Sequence, residues 1–262
     1  MSDYEFIDYA LDGDVAVIRL DNPSALNALS QRMGGELNDA LDRAGSEARA
    51  SVLGSHGRAF SAGANLTSGD IDITDPERDV GQFLESVFNP MIQRMRDLPV
   101  PMITAVRGAA AGIGCSIALM GDAIVAGRSA YFLQAFCNIG LVPDGGAAYL
   151  LARTIGRVRA MELMLFGERY PAEKAYEAGL VTRLEDDENV DAVALELARK
   201  LAGGPTRVLS MIRKSAWAAL ESTLDDQLDL ERQLQREAGR TGDFAEGVAA
   251  FIDKRPARFS GR

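Results

Sequence analysis

Apolar residues come in two short runs near the start of the chain, at 6–10 and 15–20, on either side of Asp12-Gly13-Asp14. That is the pattern of a β-hairpin with glycine at the bend. Ser30 then stands where its side chain can cap a helix running to about residue 48. Residues 51–55 read as a short strand, which His56-Gly57-Arg58 turns into the segment F-S-A-G-A-N-L at 60–66. The stretch 67–79 is acidic and lacks apolar periodicity, so a mobile loop over a ligand is expected there. Helical spacing of apolar residues returns over 81–98 and stops at Pro99, and 102–106 form an apolar strand. Strand and helix signals then alternate through 122–126, 130–136, 149–155, 158–166, 172–179 and 181–184, the sign of an α/β core. Beyond Asn189 the pattern is helical to Asp253, with breaks at Gly203-Gly204-Pro205 and near 239–243. The expected division is an α/β core over 1–188 and a helical C-terminal region over 189–262.

A chain of 262 residues with 47% hydrophobic and 25% charged residues has the composition of an ordinary globular protein and can bury a substantial core. Its net charge of −10 argues against nucleic-acid binding by phosphate neutralisation, although a local basic patch could still receive one anionic ligand. The two cysteines, Cys115 and Cys137, lie in apolar contexts without the neighbours that would suggest zinc. They read as buried thiols, and no metal is expected. The first residues carry acids instead of a basic stretch and apolar run, and no segment is apolar for long enough to cross a membrane, so a cytoplasmic protein is expected.

The densest chemical signal is V-R-G-A-A-A-G-I-G-C-S-I-A-L-M-G-D at 106–122, a strand end passing through a Gly/Ala bend into an apolar helix. Glycines at 108, 112 and 114 let a substrate approach the backbone closely, and the helix start points unpaired N–H groups outward. Such a terminus favours a phosphate or an oxygen that becomes anionic during a reaction. No lysine follows the bend as a P-loop requires, and Ile117 stands where the dinucleotide fingerprint needs glycine. Small residues could also serve only to let the helix pack closely on a sheet.

Together with N-P-S-A-L-N-A-L at 22–29, F-S-A-G-A-N-L at 60–66 and N-I-G-L-V-P-D-G-G at 138–146, this segment resembles the crotonase, or enoyl-CoA hydratase/isomerase, superfamily over nearly the whole chain. The C-terminal patterns T-L-D-D-Q-L-D-L-E-R at 223–232 and F-A-E-G-V-A-A-F at 244–251 are most similar to ring-1,2-epoxyphenylacetyl-CoA and Δ3,Δ2-enoyl-CoA isomerases. The resemblance implies a ClpP-like spiral of ββα units whose helical C-terminal region builds homotrimers, often paired as hexamers. It implies an acyl-CoA substrate, with coenzyme A entering as part of the thioester and no tightly bound cofactor. It also implies that the backbone N–H groups of Ala64 and Ile113 hold the thioester oxygen as it becomes an enolate, each donor being worth about 3–4 kcal/mol. The family usually has glycine at the position of Ile113, so the isoleucine side chain must point away from the thioester.

Hydratases of this family use two glutamates, and Ser116 and Phe136 stand at their positions. Neither can be a general base at neutral pH, so water addition by the usual route should be lost or weak. Asp144 matches the place where the isomerases carry an acid. One base facing an oxyanion hole suffices to move a proton between carbons, and apolar surroundings with Phe136 would raise its pKa. On sequence pattern alone, Asp144 before two glycines reads more readily as a helix cap, and it is the family resemblance that favours a base.

Other substrate contacts implied by the resemblance are Ala62, Asn65, Leu66 and Gly112 around the oxyanion loop, with Ser116 and Phe136 toward the acyl group. Lys254 and Phe259 would meet coenzyme A, commonly across a subunit boundary. An ordinary solvated tail is the alternative for these two. Ser24 replaces a cation found near the phosphates in many relatives. His56 reads as a loop residue and Asp122 as structural. Two other functions compete: a hydratase or related lyase with a nonstandard acid, and a noncatalytic CoA-thioester- or RNA-binding relative.

Overall fold

A computed structural model describes residues 4–65 and 74–262. Strands β1 (Ile7–Asp12) and β2 (Val15–Leu20) form the expected hairpin, with Asp12 opposite Val15 and Gly13 at φ +58°. Helix α1 (Gln31–Glu47) starts at Ser30, whose Oγ accepts from the Met33 N–H at 3.2 Å. Such a cap contributes about 1 kcal/mol. Its buried stripe of Met33, Leu37, Ala40, Leu41 and Ala44 follows the helical repeat. After β3 (Ala50–Ser55), a wide turn over Leu84–Phe88 leads into α2 (Asn89–Asp97).

The chain then repeats a motif of two strands and a helix. β4 (Met102–Val106), β5 (Ala109–Ala111) and α3 (Ile113–Ala118) are followed by β6 (Ala123–Gly127), β7 (Tyr131–Leu133) and α4 (Ala147–Thr154). Helix α5 (Arg157–Phe166), β8 (Tyr170–Pro171), α6 (Ala172–Glu177) and β9 (Arg183–Glu185) complete the core. One strand of each pair joins a six-stranded sheet ordered β1-β2-β3-β4-β6-β9, and the other joins a three-stranded sheet ordered β5-β7-β8. All pairings in the larger sheet are parallel except β1 with β2.

Both faces of that sheet are covered, so its strands are apolar at successive positions. Ala16, Ile18, Leu20, Leu53, Met102 and Val106 join the core with α1 and α2, whereas Val15, Val17, Val52, Ile103, Ala105 and Val125 face the other way. The second face is roofed by α7 (Val190–Ala202), where Val190, Ala194, Ala198 and Ala202 recur every fourth residue. Helices α8 (Thr206–Ala218), α9 (Leu224–Ala238) and α10 (Gly242–Ile252) follow. Arg213 of α8 fastens them to the core: it donates to Asp122 Oδ2 at 2.6 Å and to the carbonyls of Met95 and Leu98 at the end of α2. The last residues fold back. Asp243 accepts from the Ser260 and Gly261 N–H groups, and Arg49 donates to the carbonyls of Gly204 and Phe259.

Three expectations change. The Gly/Ala bend contains a strand, β5, because Ala109–Ala111 pairs with β7. The helical region has a further break before α9, where the Thr223 hydroxyl accepts from the Asp226 N–H. Cys115 is buried as expected, but Cys137 is exposed, because the tight turn Ala135–Ile139 carries it out of the core. Leu66 and most of the expected acidic loop lie outside the described residues.

Candidate active site

Two loop segments are stitched together at the edge of the small sheet. The segment after β3 runs beside β5: Ser61 N–H donates to the Ala109 carbonyl and Ala111 N–H to the Ser61 carbonyl, both at 2.9 Å. Its other side is fixed by the loop before α1, where Leu29 N–H donates to Gly63 O and Asn65 N–H to Leu29 O. Asn27 and Ser61, both fully buried, organise the turn. The Asn27 amide donates to the carbonyls of His56 and Ala59, and the Ser61 hydroxyl donates to Asn27 O.

The Gly63 N–H donates to Ser61 Oγ at 3.2 Å, so the amides on either side of Ala64 are occupied, while the Ala64 N–H has no hydrogen-bond partner among the described residues. Facing it, Ile113 is the first residue of α3, so its N–H has no acceptor one turn back. Gly63 (φ +98°) and Gly112 (φ +52°) permit the approach, since a Cβ on Gly63 would meet the Ala111 carbonyl oxygen at 2.9 Å. The Ile113 side chain is buried in the core beside Gly145. An isoleucine is tolerated here because its side chain is taken up in the core.

Asp144 is placed by the same helix. Ser116, fully buried, donates its hydroxyl to the Asp144 carbonyl at 3.0 Å, so it holds the loop and does not line the cavity. Gly145 (φ +56°) and Gly146 (φ +76°) then delay the start of α4, and Gly146 occupies the N-cap without a side-chain bond. The Asp144 carboxyl therefore caps nothing. Its Oδ1 is buried with no hydrogen-bond partner among the described residues, and burial alone raises its pKa to about 6. Desolvation without a compensating donor disfavours the charged form.

Ala62, Ala64, Asn65, Gly112, Ile113, Phe136 and Asp144 line one cavity of about 670 Å³. Asp144 is its sole carboxylate among the described residues. The far wall, which the sequence did not point to, includes Phe83, Leu84, Phe88 and Asn89 from the wide turn and the start of α2. A second cavity of about 700 Å³, between α2, α4 and α8, holds none of the expected site residues. Lys254 is exposed beyond α10, and Phe259 packs toward Gly247; neither lines the Asp144 cavity within one chain. His56 pairs with Asp8 at 3.0 Å, outside the cavity lining, and Asp122 pairs with Arg213. Ser24 donates to Asn22 Oδ1.

The family description Enoyl-CoA hydratase/isomerase matches residues 11–262. The chain belongs to the enoyl-CoA hydratase/isomerase family. It is 42% identical over 260 residues to the 1,2-epoxyphenylacetyl-CoA isomerase of Escherichia coli (strain K12), covering 98% of this chain and 99% of that one. It is 41% identical over 259 residues to a protein named probable enoyl-CoA hydratase in Rhodobacter capsulatus, covering 99% of both. The crystal structure of an enoyl-CoA hydratase from Polaromonas sp. JS666 superposes with a TM-score of 0.89 at 32% identity, over 97% of this chain and 99% of that one. The mixed α/β core with its helical C-terminal region is thus the crotonase fold, and the protein is an enzyme of the enoyl-CoA hydratase/isomerase family. No helix among the described residues is long and apolar enough to cross a membrane.

Proposed function

We propose that this enoyl-CoA hydratase/isomerase family member is an acyl-CoA isomerase that moves a double bond from the Δ3 to the Δ2 position, with Asp144 as its proton carrier. The Asp144 carboxylate takes a proton from the carbon next to the thioester carbonyl, and the electron pair spreads onto the carbonyl oxygen. The Ala64 and Ile113 N–H groups hold that enolate oxygen. Asp144 then returns the proton to the γ carbon, and the enolate collapses to the conjugated thioester. The observation that carries this reading is the half-buried Asp144, whose Oδ1 is buried with no hydrogen-bond partner among the described residues, in the cavity that is also lined by Ala64 and Ile113. A ring-epoxide phenylacetyl-CoA-like substrate would draw on the same enolate stabilisation, and the 1,2-epoxyphenylacetyl-CoA isomerase relative supports that variant.

Hydration is the second reading, favoured by the hydratase name of the Rhodobacter relative. Against it, Phe136 lines the cavity and Ser116 is turned to the Asp144 carbonyl, which leaves one carboxylate among the described lining residues. The remaining roles follow from the isomerase reading. Lys254 and Phe259 receive coenzyme A from a neighbouring subunit of a homotrimer or hexamer of a cytoplasmic enzyme. Exposed Leu224, Leu228, Phe244, Val248, Phe251 and Ile252 on α9 and α10 support such an assembly, because an apolar row of this kind is normally covered.

Asp144→Asn keeps the shape and removes the base, so kcat for isomerising a 3-enoyl-CoA should fall about 10²–10⁴-fold with KM nearly unchanged. An unchanged rate overturns the mechanism. Wild-type hydration of crotonyl-CoA at a rate comparable with isomerisation would establish the second reading instead.

A further inference from the structure

The cavity wall opposite Asp144 is built by an irregularity in the helix that ends as α2. The Asn89 N–H donates to the Leu84 carbonyl five residues back, so the turn over Leu84–Phe88 is one residue wider than an α-helical turn. Single wide turns of this kind occur in helices chiefly where a site requires them. In an ordinary helix Phe83 and Phe88, five residues apart, would diverge by about 140° around the axis. With the i→i+5 turn, both line the cavity together with Leu84. Val87 meanwhile packs against α1 at Gly34, where any larger residue would collide with it. The extra residue thus lets one short segment grip α1 and present two phenyl rings to the cavity.

A third ring comes from the turn Ala135–Ile139. Phe136 lies over Gly112, its Cζ 3.5 Å from where a Cβ on that glycine would be, and so stands beside the oxyanion amides. Three phenyl rings in the lining of one cavity favour an aromatic occupant, since aromatic rings gain from offset or edge contacts that a flexible chain does not make.

We propose that Phe83, swung onto the cavity face by the wide turn, selects acyl groups carrying a flat unsaturated ring over linear chains of similar size. The proposal rests on the cavity being an acyl-CoA site, and it is tested by binding so that turnover does not enter. Dissociation constants of phenylacetyl-CoA and hexanoyl-CoA are measured calorimetrically for the wild type, for Phe83→Ala and for Phe83→Leu. The wild type should prefer phenylacetyl-CoA by about five- to tenfold. Phe83→Ala and Phe83→Leu should abolish most of that preference while hexanoyl-CoA affinity changes less than about threefold. Should Phe83→Ala misfold, as its circular dichroism would show, Phe83→Leu still decides. Equal wild-type affinities, or a preference that survives Phe83→Ala, overturn the proposal and leave the acyl-CoA reading standing. Failure of both thioesters to bind the wild type overturns both.

Discussion

At the scale of single residues, the same burial that makes Asp144 a usable base strains the fold. Its carboxyl is shifted from 3.8 to about 6, so the folded protein holds this proton more tightly than the unfolded chain does. Below pH 4 both states are protonated and the group costs nothing. As pH rises through 6 the buried carboxyl ionises, and the folded state loses stability relative to the unfolded one. Asp144→Asn should therefore be more stable than the wild type at pH 8, by about 1–3 kcal/mol, with the gain closing between pH 6 and pH 4. Urea midpoints at the three pH values check this, and a gain that is flat with pH would mean Asp144 ionises as freely as in water. The wild-type kcat/KM should fall on the acid side with an apparent pKa near 6, in the same window. In the sequence, Asp144 was legible as an acid at the right place, but cap and base could not be told apart. The decision lies in the positive φ angles of Gly145 and Gly146, which move the helix start beyond its reach. Asn27 and Ser61 were not legible at all, because they serve backbone carbonyls up to 34 residues away.

At the scale of elements, patterning located almost every helix and strand of the core, since amphipathic stripes such as that of α1 are written locally. It failed where pairing partners decide. Ala109–Ala111 is a strand because β7 lies beside it, and the wide turn before α2 exists because Val87 and Phe83 must face different neighbours. The attachment of α8 is another feature of this kind. Arg213, with 6% of its side chain exposed, is ion-paired to Asp122 and satisfies carbonyls at the end of α2. Arg213→Met removes one partner and leaves a half-buried carboxylate and open carbonyls behind. A loss of about 3–5 kcal/mol is expected in denaturant unfolding. A loss below 1 kcal/mol would show that α8 is held by its apolar contacts alone.

At the scale of the whole molecule, a protein with a net charge of −10 must gather its cations locally to receive a polyanion. Lys254 lies at such a place, and Arg255 beside it is committed to Glu246 at 2.7 Å. Lys254→Ala should raise KM for an acyl-CoA several-fold at low salt, with the difference shrinking toward 0.5 M salt and kcat unchanged. A KM indifferent to both substitution and salt would make Lys254 an ordinary surface residue. Family and fold were readable from four short motifs because backbone geometry at the oxyanion loops demands small residues at fixed spacing. Subunit contacts were not, because the apolar rows of α9 and α10 carry no mark of what covers them.

The ties at the chain's end concern lifetime more than equilibrium. Arg49 bonds to carbonyls 155 and 210 positions further along the sequence, so these contacts close only after the core and the helical region have both assembled. Interactions made that late are absent from the folding barrier and act on the escape rate from the native state. Arg49→Ala should accordingly refold at nearly the wild-type rate but unfold several times faster in stopped-flow denaturant jumps; slowed refolding with unchanged unfolding would place the clasp early instead. A handful of bonds to the chain's final turn thus works as a latch on the finished enzyme, setting how long each molecule persists between excursions to the open chain.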